Sequence, residues 1–180
     1  MTVWDRGSKA QEKARQTVEV VQLKLIAIGR RMPPWVSQGF VDYAGRLRAG
    51  FSLELVEIDA SRRTRNVDIV RLVREEGERL LRAVPSGWRC IALDPAGRTY
   101  DSESLAKHLG QWLSDGRDAA LLVGGAEGLS AEVLDAADEC WSLSALTLGH
   151  PLVRVVIAEQ LYRAHAILAG LPYHRSGRVS

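Results

Sequence analysis

The chain reads as an α/β domain whose largely parallel sheet is covered by helices on both faces. Two observations predict this. Apolar runs at 21–28, 51–58, 89–93, 118–123 and within 141–147 alternate with segments whose apolar residues recur at helical spacing. At least one run, D-A-A-L-L-V from Asp118, is apolar without alternation, as expected of a strand buried on both sides.

Residues 1–20 are polar and mixed in charge with no clear apolar face, and they read as a disordered extension. The domain is expected to run as one unit from 21 to 180, a length ample for a real core. V-Q-L-K-L-I-A-I from Val21 makes the first strand, stopped by Gly29. Pro33 and Pro34 open a helix with apolar positions Trp35, Val36, Phe40, Tyr43 and Leu47. F-S-L-E-L-V-E-I from Phe51 is the second strand. A basic loop, 61–66, leads to a helix from about Val67 to Ala83 with a stripe of Ile69, Leu72, Val73, Leu80 and Leu81.

Pro85, Ser86 and Gly87 turn the chain into a short strand at 89–93, and Asp94 to Gly97 form a turn signal. Asp101 or Ser102 caps a helix reaching about Ser114. The strand at 118–123 closes on Gly124 and Gly125, and a short helix follows at 130–137. The last strand is placed inside 141–147. The last helix starts near Pro151, whose fixed φ and missing N–H suit a first turn, and it runs to about Gly170.

Net charge is only +2, too small to announce a nucleic-acid binder by itself. Its distribution is uneven: 62–82 holds seven Arg against four acids, and 150–180 holds four Arg and three His against one Glu. Cys90 and Cys140 are too few for a disulfide framework and read as free thiols of a reducing cytoplasm. No run approaches the ~20 apolar residues of a membrane span.

Four stretches carry candidate chemistry. G-G-A-E-G at 124–128 ends a buried strand, where glycines let backbone approach a ligand, although a tight turn with positive φ explains them equally well. Leu93 and Asp94 end another strand; a core leucine and a turn aspartate are the plain alternatives. The uncharged loop from Ser144 to Gly149 opens onto a helix in which His150 and Arg154, four apart, share a face. The tail Tyr173-His174-Arg175 offers a stacking ring, a proton carrier and a cation, against the simpler reading of a frayed terminus. Metal-ligand spacing, a P-loop and a nucleophilic triad are all missing, so no metal is expected.

Taken together these stretches resemble the ribosomal RNA large subunit methyltransferase H family, a branch of the SPOUT methyltransferases. The resemblance covers 21–175 and rests on L-I-A-I-G-R-R-M-P-P-W-V, A-L-D-P-A-G, D-A-A-L-L-V-G-G-A-E-G-L-S, W-S-L-S-A-L-T-L-G-H-P-L-V-R-V-V-I-A-E-Q-L-Y-R-A and P-Y-H-R, in that order. It implies methyl transfer from S-adenosylmethionine (AdoMet) to N3 of a pseudouridine in 23S rRNA, in the large subunit or the whole ribosome. It also implies a C-terminal deep trefoil knot and a cytoplasmic homodimer in which one subunit's tail completes the other's site. Knots are so rare that composition and spacing would never predict one.

Carried over by position, the cofactor pocket is Leu93, Gly125, Ser144, Ala145, Leu146, Thr147, Leu148 and Gly149. Arg154, Tyr173, His174 and Arg175 fall on the substrate side, with His150 or His174 as base and Arg154 as the cation beside a developing anion. Gly149 departs from the proline the family usually has there, which frees the turn. Two other readings compete. A dinucleotide-dependent oxidoreductase lacks its glycine fingerprint and ribose-binding acid. A ribosome-binding protein without turnover is told apart only by an assay of methyl transfer.

Overall fold

The computed structural model describes residues 20–48, 50–63 and 68–174, with the His174 side chain excepted. The expected N-terminal extension, residues 64–66 of the basic loop, the helix start at Val67 and the tail residue Arg175 lie outside the described residues.

Five parallel strands form one sheet in the order β2-β1-β4-β3-β5. They are β1 (Val21–Ile28), β2 (Phe51–Ile58), β3 (Arg89–Thr99), β4 (Ala119–Val123) and β5 (Glu139–Ser142). The helices are α1 (Pro34–Ala44), α2 (Ile69–Ala83), α3 (Ser102–Asp115), α4 (Ala131–Ala136) and α5 (His150–Leu168), and a 3-10 turn, Pro172–His174, follows. None of the described helices is long and apolar enough to cross a membrane.

Side chains alternate across each strand, so the sheet separates two cores. Leu23, Leu25 and Ala27 of β1 face Phe40 of α1, Leu109 and Trp112 of α3, and Ile157 and Leu161 of α5. Ile26 and Ile28 face Leu80 of α2 and Val133 of α4. β4 sits at the centre of the sheet and all five of its residues are buried, which accounts for its unbroken apolar sequence.

Helix ends follow their local chemistry. Asp68, Asp101 and Ser130 accept backbone N–H groups of α2, α3 and α4. Gly116 closes α3 in the left-handed region.

Four expectations need correction. Trp35 is 49% exposed, outside the core, while Val36 and Phe40 carry the burial of α1. On α2 the buried face is Leu72, Glu76, Gly77 and Leu80, whereas Ile69 points outward.

β3 does not stop at Leu93. Leu93 and Arg98 both sit opposite Trp141, so Asp94 to Gly97 form a bulge within a longer strand. The Asp94 carboxylate accepts the Ala96 N–H at 2.9 Å and tightens that excursion. Gly97 then lies so close to β5 that a Cβ would fall 2.6 Å from the Trp141 carbonyl carbon.

β5 begins at Glu139, earlier than expected, and ends at Ser142. A charged first residue hides this strand from hydropathy. The Glu139 carboxylate is satisfied by the Trp141 indole N–H at 2.9 Å and by His108 at 2.9 Å.

Candidate active site

In a parallel sheet all strand carboxyl ends lie at one edge, and the loops leaving them meet there. The bulge of β3, the loops after β4 and β5 and the start of α5 form a cavity of about 410 Å³. Its walls are Leu93 to Pro95, the Gly124–Gly128 loop, the 142–149 loop, and His150 and Val153 of α5.

Of the eight residues assigned to the cofactor pocket, seven line this cavity: Leu93, Gly125, Ser144, Leu146, Thr147, Leu148 and Gly149. Ala145 is exposed and does not. Leu93, Leu148 and Val153 supply apolar wall, and Leu146 stands 77% exposed at the mouth. The Ser144 hydroxyl accepts the Leu146 N–H at 2.9 Å, and the Ser142 hydroxyl donates to the Ser144 carbonyl at 3.0 Å. The serines thus hold the loop's shape. Thr147 is exposed.

The glycines of the β4 loop serve close approach more than unusual torsion. A Cβ on Gly124 would fall 2.2 Å from the Gly128 carbonyl oxygen, and one on Gly125 would fall 2.5 Å from Glu76 Oε2. Positive φ occurs at Gly128 alone of the three.

Glu76 is a residue that sequence reasoning missed. It is 4% exposed, and its Oε1 accepts the Ser61 N–H at 2.8 Å. A signal existed: Glu76 falls four residues from both Leu72 and Leu80, on the apolar stripe of α2.

His150 is the first residue of α5, Gly149 is its N-cap without a side-chain bond, and Pro151 follows in the first turn. The His150 ring lines the cavity, and its Nε2 is buried without a partner. Burial, then the charge of Arg154, pushes its pKa below the ordinary 6.5, while the Gly124 backbone pulls partly the other way. His150 is therefore neutral at pH 7.

Arg154 lies one turn on and is fully buried. It ion-pairs with Glu57 on β2 and donates to the carbonyls of Ile28, at 3.1 Å, and Gly29, at 2.5 Å. Arg154 is not part of the cavity wall, but its charge acts on His150, which is. Glu57 was also missed, since nothing local marks one glutamate of β2 as a partner 97 residues away.

Tyr173 is placed apart from this site. Its ring packs on Tyr162 at 4.7 Å and under the Arg163 guanidinium at 4.9 Å, and its hydroxyl donates to Glu159 at 3.0 Å. Burial, helped by Tyr43 and Glu159, raises its pKa. The His174 side chain and Arg175 lie outside the described residues.

A family model described as "Predicted SPOUT methyltransferase" matches residues 21–174. Among solved structures, the SpoU methyltransferase AviRb from Streptomyces viridochromogenes, crystallised with the cofactor AdoMet, is similar at 13% identity and a TM-score of 0.40. The match covers 85% of this chain and 59% of that one, so this chain spans less than two thirds of its neighbour. So distant a likeness locates no residue, and the assignment rests on the family match across β1 to the last turn. The chain belongs to the SPOUT methyltransferase family.

Proposed function

We propose that this protein is an AdoMet-dependent methyltransferase that modifies N3 of a pseudouridine in 23S rRNA, in the large subunit or the assembled ribosome. The observation that carries the reading is the cavity itself. Seven residues scattered between Leu93 and Gly149 converge on one space, beside a half-buried, neutral histidine.

The residues present fit the cofactor. Leu93, Leu148 and Val153 offer apolar surface to an adenine, and a loop without charged side chains offers backbone groups to its edge and to the ribose. The Gly124–Gly128 turn is so close-packed that only glycine suits position 124. When bound, AdoMet supplies an electrophilic methyl on a positively charged sulfur.

This chain's part is to position the base and manage its proton. N3 carries a proton at neutral pH, and its lone pair must be exposed for transfer. The Nε2 of His150 has no hydrogen-bond partner and the ring is neutral, so in this reading it accepts that proton. Arg154, fixed by Glu57 and two carbonyls, adds positive potential behind His150. In this reading Arg154 stabilises the developing anion through field rather than contact. The loops around the cavity align the reacting atoms.

The tail supports a homodimer within this reading. Tyr162, on which Tyr173 packs, is twelve residues along α5 from His150, roughly 18 Å at the rise of an α-helix. A tail launched from there is better placed to serve a partner's cavity than its own, with Tyr173, His174 and Arg175 as its substrate-side residues. The C-terminal knot and the cytoplasmic setting belong to the same proposal.

The test is transfer of labelled methyl from AdoMet to ribosomes lacking the modification, followed by mass mapping of the labelled nucleotide. Label on N3 of a 23S pseudouridine is the expected result. Label elsewhere replaces the substrate, and AdoMet binding without label leaves a binding protein of the same fold.

A further inference from the structure

We infer that the ends of β1 and β2 form a docking surface for the RNA sugar-phosphate backbone, with Arg31, Arg62 and Arg63 as its phosphate-binding groups. The inference rests on the RNA methyltransferase reading and adds where the RNA lies. Sheet order supplies the first argument. β1 lies beside β4 and β2 lies beyond β1, so their carboxyl-end loops lie on the same edge as the cavity and flank it on one side.

Contacts supply the second argument. The loop leaving β1 touches the catalytic end of α5, since a Cβ on Gly29 would lie 4.0 Å from His150 Cε1 and 3.8 Å from Arg154 Nη2. Arg30 and Arg31 follow at once, both exposed. The loop leaving β2 is tied to the cavity wall twice. Glu76 accepts the Ser61 N–H and packs on Gly125, and Arg63 pairs with Glu127 at 3.0 Å.

Charge supplies the third argument. Four arginines, Arg30, Arg31, Arg62 and Arg63, crowd these two loops against Asp59, which pairs with Arg30 at 3.2 Å, and Glu127. Among the described residues no carboxylate lies within ion-pair distance of Arg31 or Arg62. Arg62 also opens onto a groove lined by Arg71, Arg79 and Arg82, whose acids Glu75 and Glu78 are engaged with Arg71 and Arg82. Asp68 is the remaining acid there, and it caps α2. A guanidinium grips phosphate oxygens in a fork, and fixed arginines beside a cavity set the register in which a nucleotide enters it. Glu127 is then a built-in competitor that holds Arg63 until phosphate displaces it.

The experiment measures binding of transcribed 23S rRNA to the full chain across a salt series, for the wild type, R31A/R62A and E127Q. Melting temperature and AdoMet affinity are followed in parallel, and neither is expected to move in R31A/R62A. In that variant RNA affinity should fall about tenfold at physiological salt, and the slope of log affinity against log salt should flatten by roughly 1.5, near 0.7–0.9 per phosphate contact. E127Q should bind RNA more tightly than the wild type. R31K/R62K should restore most of the slope. An unchanged slope in R31A/R62A, or a wild type that does not bind this RNA, overturns the docking surface. A wild type that binds with the expected slope yet transfers no methyl to ribosomes lacking the modification overturns the enzymatic reading and leaves the surface standing.

Discussion

Arg154 at the start of α5 is ion-paired with Glu57 near the end of β2, joining two elements that are far apart in sequence. The same guanidinium holds the Ile28 and Gly29 carbonyls where β1 ends. One side chain therefore fixes the start of α5 to two strands, and it does so without lining the cavity.

Cutting that link should be costly. R154A strands a partly buried Glu57 and two carbonyls, and should lower unfolding free energy by about 3 kcal/mol in denaturant titration. E57Q alone should cost less, since its carboxamide can still accept a hydrogen bond. The double variant should fall well short of the sum, as partners in one network do. A sum that is simply additive would count against the pair.

Acidification should destabilise the fold below the ordinary histidine range. His150 and His165 both have pKa values lowered by burial, and His150 also by Arg154. A lowered folded value means that the unfolded chain binds more protons between that value and 6.5. Stability is thus complete above pH 6.5 and declines as pH drops through the window beneath it. Denaturation midpoints at pH 7.5 and 5.5 check this, and H150A should reduce the difference between them. Methyl transfer should be flat above the same boundary, because His150 stays neutral there.

The two glycines flanking the cavity should answer differently to substitution. Gly149 has φ −61° and ψ 137°, a conformation proline adopts, and an added Cβ meets only Pro151 Cδ at 4.0 Å. G149P should preserve AdoMet affinity and stabilise the protein by about 0.5–1 kcal/mol, chiefly by restricting the unfolded chain. G124A instead drives a methyl into the Gly128 carbonyl. It should cost about 2 kcal/mol and weaken AdoMet binding at least tenfold by calorimetry.

Glu139 should report on the edge of the sheet. Its carboxylate accepts from the Trp141 indole and from His108, inside a group of rings formed by Tyr100, His108, Trp112 and Trp141. E139A leaves a buried indole N–H unmet and should cost about 1–2 kcal/mol, with a shift in tryptophan emission. Unaltered emission and stability would show that water replaces the carboxylate without loss.

How much of this was legible depended on whether the cause was local. Strand β1 and strand β2 were readable to the residue because apolar patterning and a following loop mark both ends. The end of β3 and the start of β5 were not, because a bulge and a buried-side glutamate depend on pairing partners. The same divide runs through the site. Seven of the eight residues that the resemblance assigns to a cofactor line one cavity, since backbone loops at strand ends are carried by the sequence order of the fold. It did not show that Arg154 would be buried against Glu57, or that Glu76 would lie behind Gly125.

The sequence by itself determined a five-stranded α/β domain, the cap of α3, and the loop and helix start that hold the candidate chemistry. Period, capping residue and glycine position are properties of neighbouring residues, and they act before any tertiary contact forms. The tertiary structure decided which charges are matched. A carboxylate and a guanidinium nearly a hundred residues apart meet only when β2, β1 and α5 are brought to one edge, and burial there keeps His150 neutral and Arg154 paired. Desolvation and long-range pairing are features of the folded volume, and they gave each candidate residue its state.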